Sequence, residues 1–117
     1  MTLAISATAF AAKDNMWQYN KYTTIDMDSA KISYDMGREV LTFETIEVAG
    51  DTTDYCTYVY NVDDQTIQLK ERVTKTKKSK YKSSFYPEDI KDGNSVIKAR
   101  ARMANDVLEK VRQERRK

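Results

Sequence analysis

Histidine is absent, cysteine and proline occur once each, and glycine appears three times in 117 residues. Without histidine, the side chain that most often serves as a general base or transition-metal ligand near neutral pH is missing. A single cysteine, Cys56, rules out an intramolecular disulfide and a paired-cysteine redox or metal motif, leaving only a bond between chains. Its setting, Tyr55-Cys56-Thr57-Tyr58, reads as a strand, where a thiol is normally buried and inert. Three scattered glycines form no phosphate-cradling loop, and no serine sits in a nucleophile elbow. No stretch approaches the roughly 20 apolar residues that span a bilayer as a helix, so no transmembrane segment is expected.

The remaining route to catalysis is paired carboxylates. Asp26 with Asp28, Asp63 with Asp64, and Glu88 with Asp89 all fall in turn-forming stretches, where acids are ordinarily solvated. The Asp-x-Asp at Asp26 matches the opening of a calcium loop, but Ala30 occupies the next ligand position, Lys31 replaces the required glycine, and no glutamate closes the loop. No catalytic residue, cofactor or metal ligand is therefore assigned, and a non-enzymatic protein is expected.

What is present is a chain rich in strand formers: eight Tyr, three Phe and one Trp. The stretch Thr23–Val48 organises the reading. A first strand is expected from Met16 to Ile25, with a bulge at Asn20-Lys21, followed by a polar bend at Asp26-Met27-Asp28-Ser29. A hairpin then runs from Lys31 to Asp35, turns at Met36-Gly37-Arg38, and returns through Val48, with a bulge near Glu44-Thr45 where the apolar alternation changes phase. Asp54–Asn61 and Thr66–Val73 form a second hairpin. In its returning strand, Ile67, Leu69 and Val73 alternate with Gln68, Lys70 and Arg72. A short strand over Ser83–Tyr86 ends at Pro87, and a loop follows.

Asn94 or Ser95 then caps a helix whose stripe is Val96, Ala99, Met103, Val107 and Val111, flanked by Ile97, Ala101, Ala104 and Leu108. The expected fold is α+β: an antiparallel β-sheet of five to six strands with one C-terminal α-helix packed on one face. Residues 13–117 form one domain. Residues 1–12, MTLAISATAFAA, are uncharged and carry the small-x-small pattern of a leader cleavage site, so they read as a signal-peptide remnant. The mature chain is accordingly expected in the periplasm, at the cell surface or secreted.

Charge is unevenly spread along the chain. Residues 14–67 hold eleven acids against three bases, and residues 68–117 hold sixteen bases against seven acids. The two halves can attract each other across the fold, or the basic half can present a face to an anionic partner. The densest basic stretch is Lys75, Lys77, Lys78, Lys80, Tyr81 and Lys82, which reads as a solvated loop, an edge strand guarded by lysines, or a grip on an anionic surface. It is the one candidate partner-binding site. Nucleic acid is not expected as a partner for an exported chain.

The Trp17-led first strand, the run Ile25–Ile32, and the helix start at Asp92–Val96 follow an order that resembles the surface-adhesin protein E-like family of small exported bacterial proteins. The resemblance implies an antiparallel sheet with a packed C-terminal helix, and an adhesin-like role: binding of a host matrix protein, with homodimer formation. This chain lacks the second cysteine that often pins the helix in that family. The alternative to a binding role is a structural or assembly protein that self-associates through an exposed sheet face bearing Tyr55, Tyr58 and Tyr60.

Overall fold

The computed structural model describes residues 15–115; the leader-like residues 1–12 lie outside them. Among the described residues the order is β1 (Met16–Gln18), β2 (Thr23–Asp35), β3 (Arg38–Ala49), β4 (Thr52–Asn61), β5 (Thr66–Lys75), β6 (Lys80–Ser83), β7 (Glu88–Asp89) and a helix, α1 (Ser95–Arg115). Strands β1 to β6 are neighbours in chain order, all antiparallel, and β7 pairs with the start of β5. The expected α+β class holds, with an antiparallel sheet and one C-terminal helix on one of its faces.

Each connection has a local cause. At Asn20 the side-chain oxygen accepts from the backbone N–H of Tyr22 and of Thr23, both at 2.9 Å, so the expected bulge is instead a reversal that ends β1 and starts β2. The β2–β3 turn places Met36 at φ 52° and Gly37 at φ 82° between the paired Asp35 and Arg38, the two-residue hairpin geometry that needs positive φ twice. Glycine meets that demand freely, whereas Met36 holds it under strain.

Two irregularities correct the expected faces. Asp26–Ser29 is not a bend between strands: β2 runs through it, with extra residues between Asp26, opposite Glu44, and Lys31, opposite Thr42. The bulge expected in β3 thus lies across from it in β2. Strand β3 pairs with β4 without a break and keeps Leu41, Phe43 and Thr45 buried, while Ile46 and Val48 belong to its other face. The side chains explain the location: Asp26 Oδ1 accepts from the Asp28 N–H at 3.1 Å, and Ser29 Oγ donates to the Asp26 carbonyl at 2.6 Å. In β5, Lys70 is the extra residue between Leu69, opposite Tyr58, and Glu71, opposite Thr57. One added residue reverses every later side chain. Arg72 and Thr74 therefore take the helix side, and Val73, expected with Ile67 and Leu69, lies on the open face opposite Tyr55.

The core lies between one sheet face and the helix. Ile25, Leu41, Phe43, Tyr58, Tyr60, Ile67 and Leu69 meet Ile97, Met103, Ala104, Val107 and Leu108. Burying the large helix side chains contributes on the order of 10 kcal/mol before entropy is subtracted. The cap is Asn94, whose Oδ1 accepts from the Ile97 N–H at 3.0 Å. Beside it, a Cβ on Gly93 would sit 2.6 Å from Ile97 Cγ2, so only glycine lets the helix start this close. This anchoring turns Ile97 inward and leaves Val96, expected in the stripe, 53% exposed. Two tyrosines tie the helix to the sheet: Tyr60 donates to Asn105 Oδ1 at 2.8 Å and Tyr19 to Asp106 Oδ2 at 2.5 Å. Farther along, Arg112 Nη2 meets Glu39 Oε1 at 2.7 Å.

Candidate functional site

An antiparallel meander brings alternate connections to the same end of the sheet, and here the charges sort between the two ends. At one end lie the β1–β2 reversal, the β3–β4 turn and the β5–β6 turn. Residues 20–23, 48–53 and 75–82 at this end contain six lysines and one acid, Asp51. At the other end, residues 34–39, 61–66 and 88–92 contain seven acids and two bases. Charge is therefore divided along the strand direction as well as between the two halves of the chain, which Arg112–Glu39 and Lys77–Asp51, at 3.7 Å, join.

The basic segment is an edge hairpin. Thr76 closes its turn: its N–H donates to the Ser79 carbonyl at 2.9 Å, and its Oγ1 accepts from the Ser79 N–H at 3.0 Å. Strand β6 follows on the sheet edge, with Lys80, Tyr81 and Lys82 all exposed. Register places Lys75 directly opposite Lys80, a like-charge pair that costs a few tenths of a kcal/mol or more. Lys82 pairs with Glu71 at 3.3 Å. Among the described residues no carboxylate lies within 4.0 Å of the ammonium of Lys21, Lys75, Lys78 or Lys80.

The structure adds residues that sequence reasoning left out. Tyr22 accepts at its carbonyl from the Val48 N–H at 2.9 Å, and Val48 pairs with Thr53, Thr53 with Lys75, and Lys75 with Lys80. One cross-strand row thus links Lys21-Tyr22 to the lysine hairpin. Lys21 Nζ lies 5.5 Å from the centre of the Tyr22 ring. Tyr22 is 57% exposed and Val48 45%, so the lysines stand among accessible apolar surface. Nothing in the local sequence joins Lys21 to Lys75; the register does. Tyr81, expected with the lysines, is exposed opposite Thr74 and so points to the helix side, whereas Lys75, Lys80 and Lys82 belong to the open face.

A second polar group lies on the helix side of β3 and β4. Thr45 and Tyr58 both donate to Glu47 Oε2 at 2.7 Å, and Cys56, 2% exposed, sits beside them. Burial, reinforced by the Glu47 charge, pushes the Cys56 thiol up to about 12. The same two causes raise the Tyr58 hydroxyl far above its ordinary value. Both groups hold their protons near neutral pH and act as buried donors, which suits a structural network and not a nucleophile. Arg100 lies 6.0 Å over the Tyr58 ring and Arg72 5.1 Å over Phe85.

The carboxylate pairs do not converge: Asp26, expected to be a solvated turn acid, is buried in β2 at 6% exposure, while Asp28 and the other two pairs are on the surface. Asp63 accepts from the Glu39 N–H at 2.6 Å, Asp64 meets Arg38 at 3.2 Å, and Glu88 and Asp89 form the exposed β7. Among the described residues no group of three metal-ligating side chains is placed to hold an ion, and no helix is long and apolar enough to cross a membrane. The tyrosines expected on one exposed face are divided: Tyr58 and Tyr60 are buried beneath the helix, and Tyr55 is on the open face, 38% exposed. Compared with protein families, curated proteins and solved structures, the chain matches none.

Proposed function

We propose that this is a non-enzymatic binding domain of the cell envelope whose basic sheet end engages an anionic macromolecular partner. The observation that carries the reading is the gathering of Lys21 with Lys75, Lys77, Lys78, Lys80 and Lys82 at one end of the sheet, while acids collect at the other. A field organised in this way orients the molecule as it approaches a negative partner and raises the rate of encounter. The unrelieved Lys75–Lys80 pair supports the same reading, since an anion placed between the two ammonium groups would offset their repulsion. A host matrix protein bearing acidic chains, suggested by the adhesin-like resemblance, is one partner of this chemistry. The envelope location is proposed on the leader-like residues 1–12.

The test is retention on heparin-agarose, a sulfated polyanion. A variant with Lys75, Lys78 and Lys80 changed to Gln is expected to elute at clearly lower salt than the parent chain. Equal elution salt would remove the basic end from consideration.

A further inference from the structure

The anion that best fits this end is a phospholipid headgroup layer: we propose that the row Tyr22–Val48–Thr53–Lys75–Lys80, with the two turns beside it, docks end-on against an anionic bilayer. This rests on the reading of the basic end given above and specifies its partner.

Three features favour a lipid surface over a soluble polyanion. The row crosses from β2 to β6, four inter-strand steps of about 4.8 Å, which together span about 19 Å. A span of that width meets several headgroups at once. Apolar side chains are interspersed with the lysines where a soluble polyanion would have no use for them: Tyr22 and Val48 are 57% and 45% exposed, and Ala49 beside Val48 is also exposed. Tyrosine next to lysine is the pair that settles at the headgroup boundary, with the ring among the upper acyl chains and the ammonium on phosphate. The acidic opposite end, with Asp35, Asp63, Asp64, Glu88, Asp89 and Asp92, would be repelled by the same surface, which permits one orientation only.

The experiment is co-sedimentation of the full chain with vesicles of mixed phosphatidylglycerol and phosphatidylcholine, set against vesicles of phosphatidylcholine alone. Binding is expected on the mixed vesicles only and is expected to weaken as salt rises. Changing Lys75 or Lys80 to Gln weakens it about fivefold each, equivalent to about 1 kcal/mol per lysine. Changing Tyr22 and Val48 to Ser weakens vesicle binding while leaving the heparin elution salt unchanged. Retention on heparin with no vesicle binding overturns the lipid inference and leaves the broader reading standing. Vesicle binding unaffected by Tyr22→Ser with Val48→Ser overturns the docking geometry. Equal binding to neutral vesicles would assign the interaction to the uncharged residues 1–12 and also overturn it. Failure on both heparin and vesicles overturns both proposals.

Discussion

Removing the Cys56 thiol should flatten the alkaline limb of the stability curve. In the unfolded chain the thiol titrates near its ordinary value of 9.0, and in the folded chain burial beside Glu47 lifts it to about 12. A folded pKa raised in this way means that the native state keeps a proton the unfolded state has lost. The stabilisation is complete below pH 9 and is lost progressively as pH rises toward 12. Between pH 8 and pH 10 the expected loss from Cys56 is about 1.4 kcal/mol. Tyr58, whose unfolded value is 10.0, is also raised and adds about 0.4 kcal/mol at pH 10; Tyr19, partly exposed and raised to about 12, adds less. Urea unfolding at the two pH values measures the effect. With a slope of about 1.5 kcal/mol/M, the parent midpoint should fall by about 1.2 M and that of Cys56→Ala by only about 0.3 M. The variant starts lower because of the cavity it creates, but the comparison is of pH slopes. Parallel falls in the two proteins would refute the placement of the thiol beside Glu47.

Further substitutions test the fold. Gly93→Ala forces a Cβ against Ile97 and should cost about 1–3 kcal/mol; combined with Ile97→Ala it should cost less than the sum of the two single changes, as a double-mutant cycle in urea would show. Met36→Asn, at a φ of 52° beside Gly37, should raise stability by about 0.5–1 kcal/mol and the thermal midpoint with it. Asn94→Ala removes the acceptor for the Ile97 N–H and should cost about 1 kcal/mol, whereas Asn94→Asp should retain most of it by circular-dichroism melts.

How much of this was readable beforehand follows from the physics of each position. The β2–β3 turn and the helix cap were legible because Gly37 and Asn94 act on their immediate neighbours. Ile67 and Leu69 were legible because they precede the Lys70 bulge; Val73 was misplaced because it follows it, and no residue type marks that extra position. Val96 was misplaced because the Gly93–Ile97 contact, a matter of packing, sets the rotation of the helix. The lysines of residues 75–82 were visible as composition. Lys21, Tyr22 and Val48 were not, because their relation to the hairpin exists only through the register across β2 to β6. The same register put Tyr58 and Tyr60 under the helix and left Tyr55 on the open face.

The most direct test of the central claim compares two variants with equal loss of charge. In one, Lys75, Lys78 and Lys80 become Gln; in the other, Lys31, Lys91 and Lys98, all exposed and outside the basic end, become Gln. If position at the sheet end governs the interaction, the elution salt on heparin-agarose falls steeply for the first and barely changes for the second. Equal falls in both would mean that net charge alone retains the protein, and would contradict the assignment of a binding site to the basic end.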